Sequence, residues 1–120
     1  MTALDYFTRT STIHIATELK AGGEVVTPIW AVVVDGVPYM RSGYGATSKW
    51  YRRVRRTHHA TFVDGRHRYP ATVEPVTDEA TKAKVDAAYR AKYGSGPSVD
   101  DVVAPNVRDF TLRIDLEEQR

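Results

Sequence analysis

The stretch from Thr27 to Arg56, TPIWAVVVDGVPYMRSGYGATSKWYRRVRR, constrains this chain more than any other. Two apolar runs flank Asp35-Gly36, and a two-residue type I′ turn needs positive φ at both central positions. Asp-Gly in that setting therefore predicts a tight antiparallel hairpin. The first run, Val25 to Val34, holds the unbroken IWAVVV and reads as one long strand buried on both faces. The second, Val37 to Ser42, reads as its partner, with Pro38 near the start, where a missing amide costs least.

The remaining elements follow the same signals. Thr12 to Leu19 alternates loosely and reads as a strand ahead of a turn at Ala21-Gly22-Gly23-Glu24. Thr47 or Ser48 is placed to cap a short helix running to about Arg56. His59 to Val63 and Arg66 to Val76 form a second hairpin about Asp64-Gly65. Thr77 opens the clearest helix, TDEATKAKVDAAYRAKYG, with acids in its first turn, Lys92 near its end and Gly94 just past it. Residues 95–106 read as irregular, and Asp109 to Leu116 as a last strand. The sum is a mainly β fold, a six-stranded antiparallel barrel with two helical segments at its rim. At 120 residues the chain has room for one domain, 1–120.

Composition excludes several classes. The 42% hydrophobic and 27% charged content argues against wholesale disorder. No apolar run approaches the ~20 residues of a membrane span, and MTALDYFTRT lacks the basic start and apolar stretch of a signal peptide, so a cytoplasmic location is expected. The absence of cysteine rules out disulfides, cysteine-ligated metal and a thiol nucleophile. The total charge of +2 hides an asymmetry: residues 41–68 carry eight Lys/Arg against one acid, Asp64. Such a patch recruits an anion, or is simply a solvated face.

The loop Arg41-Ser42-Gly43-Tyr44-Gly45-Ala46-Thr47-Ser48-Lys49 combines glycines for close backbone approach, hydroxyl donors, and a cation at either end. That donor set suits a phosphate, although the order of a Walker loop is absent. Trp50-Tyr51 beside the arginines offers flat surface for a planar ring or for single-stranded nucleic acid; equally, Trp50 belongs to the core with only the arginines outside. The four histidines, His14, His58, His59 and His67, show no metal-ligand spacing, and no metal site is assigned. No nucleophile elbow appears. The acid pairs Asp100-Asp101 and Glu117-Glu118 read as solvated.

The motifs TPIWAVVVDGVPYMRSGYG, WYRRV, AAYRAKYG and the Val-Ala-Pro near residue 105 resemble, in that order, the small bacterial proteins grouped as domain of unknown function 2255. That group is similar in turn to the flavin-binding split barrels, including pyridoxamine phosphate oxidases and deazaflavin-dependent nitroreductases. The resemblance implies Thr27, Pro28 and Trp30 on a strand facing the cofactor ring. It implies Arg41, Ser42 and Gly43 along its phosphate, with Lys49, Trp50 and Tyr51 closing the pocket. It also implies a homodimer whose groove is completed by the partner subunit, with Trp30, Trp50 and several tyrosines exposed along it. One departure stands out: the nitroreductases carry a Gly-Arg-Lys-Ser-Gly type turn before the Thr-Pro strand, and here Lys20-Ala21-Gly22-Gly23 leaves a single lysine, for which Arg41 and Lys49 would have to compensate.

Three functions remain open on the residues alone. The first is an oxidoreductase binding FMN or a deazaflavin coenzyme and passing hydride to a small-molecule substrate, with Tyr51 as a proton donor near the ring. The second is a cofactor-free module engaging nucleic acid or another anion through residues 41–68. The third is a barrel that kept the fold and lost the ligand.

Overall fold

The computed structural model describes residues 2–117, so Glu118 of the second acid pair lies outside the described residues. Helix α1 (Ala3–Arg9) leads into strands β1 (Ile13–Glu18), β2 (Glu24–Ile29), β3 (Ala31–Val34) and β4 (Val37–Arg41). A 3₁₀ turn (Gly45–Thr47) precedes α2 (Lys49–Thr57), followed by β5 (His59–Asp64) and β6 (His67–Pro75). Then come α3 (Glu79–Tyr93), α4 (Pro97–Val103), a 3₁₀ segment (Pro105–Phe110) and β7 (Thr111–Leu116). One antiparallel sheet takes the order β2-β1-β5-β6-β7-β4-β3. Because β2 and β3 stand at opposite edges yet are joined by Trp30 alone, the sheet must curl until those edges meet there. The result is a split β-barrel.

The expected six strands become seven because the run read as one strand, Val25 to Val34, breaks at Trp30. Helix α3 supplies the reason. Tyr89 Oη donates to the Trp30 carbonyl at 3.1 Å. Tyr93 Oη accepts from the Ala31 N–H at 3.2 Å, and Lys92 Nζ donates to the Ala31 carbonyl at 2.7 Å. Side chains thus satisfy backbone groups that a continuous ladder would have paired. Burial on both faces is confined to the neighbourhood of the break, Ile29, Ala31 and Val32, while most of β2 is open on one face.

Both hairpins form. At the first, Asp35 and Gly36 have φ of 50° and 79°, as a type I′ turn requires. The second pairs Asp64 with His67, so its turn residues are Gly65-Arg66, one position beyond the expected Asp64-Gly65. Helix α3 is capped by Asp78, not Thr77: the Asp78 carboxylate accepts from the Thr81 N–H at 2.9 Å.

Two α-helices went unread. Helix α1 carries a capping box between Thr2 and Asp5 and inserts Phe7 against Phe62, with ring centroids 4.8 Å apart, which plugs one end of the barrel. Helix α4 occupies most of the stretch expected to be irregular; with α3 it packs Val99, Val102, Val103, Val85 and Tyr89 on the outer face of β3–β4. Among the described residues no helix is long and apolar enough to cross a membrane.

If α3 enforces the break at Trp30, Tyr89→Phe leaves the Trp30 carbonyl unpaired and lowers stability by about 1–3 kcal/mol in urea denaturation. A change below about 0.5 kcal/mol, the range of an inconsequential surface substitution, would contradict this role.

Candidate functional site

The site is built around the open face of β2. A hollow of about 330 Å³ is walled by Pro28, Trp30, Gly43, Tyr44 and Trp50, with Ser98 and Asp101 of α4 at its far side. A second of about 350 Å³ shares Pro28, Tyr44 and Trp50 with it and adds Thr27, Ser48, Lys49 and Arg53. A third, of about 340 Å³, shares Lys49 and Arg53 with the second and is completed by Lys20, Arg52 and Arg56. Shared walls make these one groove, aromatic at the Trp30 end and cationic at the Lys20 end.

Helix α2 explains the arrangement. Trp50, Tyr51 and Val54 fall on one face and pack into the barrel core, while Lys49, Arg52, Arg53 and Arg56 repeat at i, i+3, i+4 and i+7 and line the other. Arg53 donates to Thr17 Oγ1 at 3.3 Å and Arg56 to the Glu18 carbonyl, which lays the helix along β1 and carries its cations to the turn holding Lys20. Among the described residues none of these five cations forms an ion pair, and no acid lines their hollow.

Thr27, Pro28, Trp30, Gly43, Lys49 and Trp50 therefore come together on one groove. Trp50 is core and wall at once, 8% exposed yet reaching the first two hollows. Trp30 is half-buried, with Tyr93 stacked on it at 4.1 Å. The expected exposed tryptophan patch is thus absent; the large exposed apolar side chains are Leu19, Val26 and Tyr44, the last on the groove's rim.

Of the other three expected residues, Arg41 also borders the first hollow, whereas Ser42 and Tyr51 line none of the three. Arg41 is 3% exposed, with its guanidinium spent inside the protein: Nε donates to Thr111 Oγ1 at 2.8 Å, Nη2 to the Lys82 carbonyl at 3.1 Å, and Nη1 to the Val102 carbonyl at 3.1 Å and to the Asp86 carboxylate. Arg108 Nε lies 3.1 Å from the other Asp86 oxygen, an ion pair without hydrogen-bond alignment. Arg41 fastens β4 to α3, α4 and β7, so at the wall of the first hollow its donors are already engaged inside the protein. Ser42 is fully buried and its hydroxyl donates to the Gly45 carbonyl at 2.7 Å, closing the loop on itself. Gly45 has φ of +60°, and a Cβ there would stand 3.2 Å from the Phe110 ring, so any other residue would be strained and would press on Phe110. Tyr51 is packed edge-on to Phe110 in the core and lines none of the three hollows, so the geometry gives it no path to a ring in the groove.

Arg52, Arg53 and Arg56 are the site residues not singled out individually from the sequence, although their spacing with Lys49 is that of a helical stripe, and Lys20, the single lysine of its turn, joins them. No histidine lines the groove. Among the described residues no three His, Asp or Glu side chains are placed to hold a metal ion.

Residues 3–114 match the model of the family described as "Uncharacterized protein conserved in bacteria (DUF2255)". The chain belongs to this family. No curated protein matches its sequence. Among solved structures, this DUF2255 chain is similar to the heme storage protein HutZ from Vibrio cholerae, with a TM-score of 0.73 and 14% identity over 96% of this chain and 87% of that one. A conserved hypothetical protein from Mycobacterium tuberculosis gives 0.70 and 19% over 100% and 82%. An F420-H2 dependent reductase gives 0.64 and 17% over 89% and 94%. Identities this low speak to the fold, the split barrel, and not to a shared ligand.

Replacing Arg41 separates a strut from a ligand-binding cation. Arg41→Ala leaves Asp86 with Arg108 as its remaining partner, takes the donor from the Val102 carbonyl at the end of α4 and opens a cavity, and is expected to cost about 2–4 kcal/mol in chemical denaturation. A fully stable Arg41→Ala protein would contradict this assignment.

Proposed function

We propose that this DUF2255 chain binds FMN or a deazaflavin coenzyme in the groove along β2 and serves as a small oxidoreductase acting on a small-molecule acceptor. The observation that carries the reading is the continuity of the groove, with flat apolar walls at one end and five cations without a counter-charge at the other. That donor set fits a planar ring bearing an anionic tail. The fold is also that of an F420-H2 dependent reductase and of a heme storage protein, and the absence of histidine from the groove favours the ring with a phosphate over heme.

Pro28, Trp30 and Trp50 would flank the ring, and Lys49 and Arg53 would hold the phosphate through charge-assisted hydrogen bonds. Ser98 and Asp101 would present polar groups to an acceptor at the open end. When bound, such a cofactor supplies hydride transfer. The protein's part is then to orient the ring, anchor its tail and exclude water, and no side chain of the groove is required as an acid. The groove is open along the β2 edge beside Val26, Leu19 and Tyr44, and a second copy of the chain would cover that side to give a homodimer.

The test is a titration with FMN and with the deazaflavin coenzyme, followed by tryptophan fluorescence and run alongside light scattering. Quenching is expected with one of them, on a dimer. Lys49→Ala with Arg53→Ala should weaken binding about ten- to a hundredfold, while Arg66→Ala, outside the groove, leaves it unchanged. No binding of either cofactor would remove the oxidoreductase reading.

A further inference from the structure

The cationic end of the groove holds more charge than a single phosphate answers. A phosphate monoester carries about −1.5 to −2 at neutral pH, against five cations lining one hollow with no acid among them. Four of the five lie on α2 from position 49 to 56, two helical turns and about 10 Å along the axis. One phosphate reaches the side chains of one turn; the stripe serves two. Like charges at i, i+3 and i+4 repel one another. The helix residues KWYRRVRRT contain no acid to relieve that repulsion, and a bound anion would relieve it beyond the screening that water and salt provide.

We infer that this hollow binds a ligand carrying at least two linked phosphate groups, an oligophosphate or pyrophosphate-type tail, in preference to a lone phosphate monoester. The inference goes beyond the groove reading, since FMN brings a single phosphate to Lys49 and Arg53 and a ligand with linked phosphates would compete with it there; the cationic end stands on its own charge and length. A nucleic-acid backbone fits less well because no aromatic side chain lines this hollow for a base to stack on. Of the other cations in the basic segment, Arg41 is buried and Arg68 pairs with Glu24 at 2.8 Å, while Arg55 and Arg66 are exposed outside the hollow.

The experiment measures binding of inorganic phosphate, pyrophosphate and tripolyphosphate to the full chain by calorimetry at fixed ionic strength. It is repeated on Lys20→Gln with Arg52→Gln, two exposed positions, and on Arg66→Gln as a control. Riboflavin, a ring without phosphate, and a short single-stranded oligonucleotide are the further arms. Affinity is expected to rise roughly five- to tenfold with each added phosphate. The double variant should flatten that rise and the control should keep it. If the double variant fails to fold, the series on the unaltered chain decides alone. Equal affinity for phosphate and tripolyphosphate overturns the inference, and so does tighter binding of the oligonucleotide at matched charge. The two readings fail separately: riboflavin binding with a flat phosphate series leaves the groove reading standing, whereas a rising series supports the inference whether or not riboflavin binds, and the ring is then decided by the FMN and deazaflavin titration.

Discussion

The buried guanidinium of Arg41 is the interaction on which the functional end of this barrel depends. Removing a cation from water is tolerated only when its donors are satisfied and a counter-charge is near, and here Thr111, Lys82, Val102 and Asp86 supply both. Those partners belong to β7, α3 and α4, so one side chain fastens three elements to the end of β4. The chain leaves β4 through Ser42 with no freedom to wander, and the closed turn from Ser42 to Gly45 delivers Tyr44, Ser48 and Lys49 to the groove.

A second constraint acts at the opposite wall. The sheet is open between β2 and β3, and its two edges are held together by the chain itself at Trp30. Tyr89, Lys92 and Tyr93, from the last turns of α3, hold the backbone at that joint, and burial there pushes the Lys92 amine down to about 8 and the Tyr93 hydroxyl up to about 12. The motif AAYRAKYG is thereby tied to the motif TPIW across the fold. The groove lies between these fixed points, with α2 roofing it: one face of that helix is core and the other is cation.

What the sequence made legible was local. Asp35-Gly36 dictates its own turn, and α3 shows its acids, its apolar spacing and its terminal Gly94 within one window. The slip at Asp64-Gly65 arises because Gly at the first turn position serves as well as Gly at the second, and only the pairing of Asp64 with His67 decides between them. Helices α1 and α4 are seven residues each, too short for a clear period, although Thr2 with Asp5 and Pro97 at the first helical position were signals of their starts. The interior bonds of Arg41 are illegible in the sequence for a different reason. A loop arginine beside serine and glycine looks like a phosphate ligand until Asp86 and Thr111, 45 and 70 residues away in sequence, are brought beside it. Lys20 looks isolated in its turn for the same reason, and gains its companions only when α2 lies along β1.

The most direct measurement is a crystal structure of the chain grown with the cofactor that it binds. The account predicts the ring beside Pro28 and Trp50 and the phosphate within hydrogen-bonding distance of Lys49 or Arg53, with Arg41 still bonded to Asp86. A ligand seated elsewhere on the barrel, or an Arg41 swung out to meet the phosphate, would contradict it.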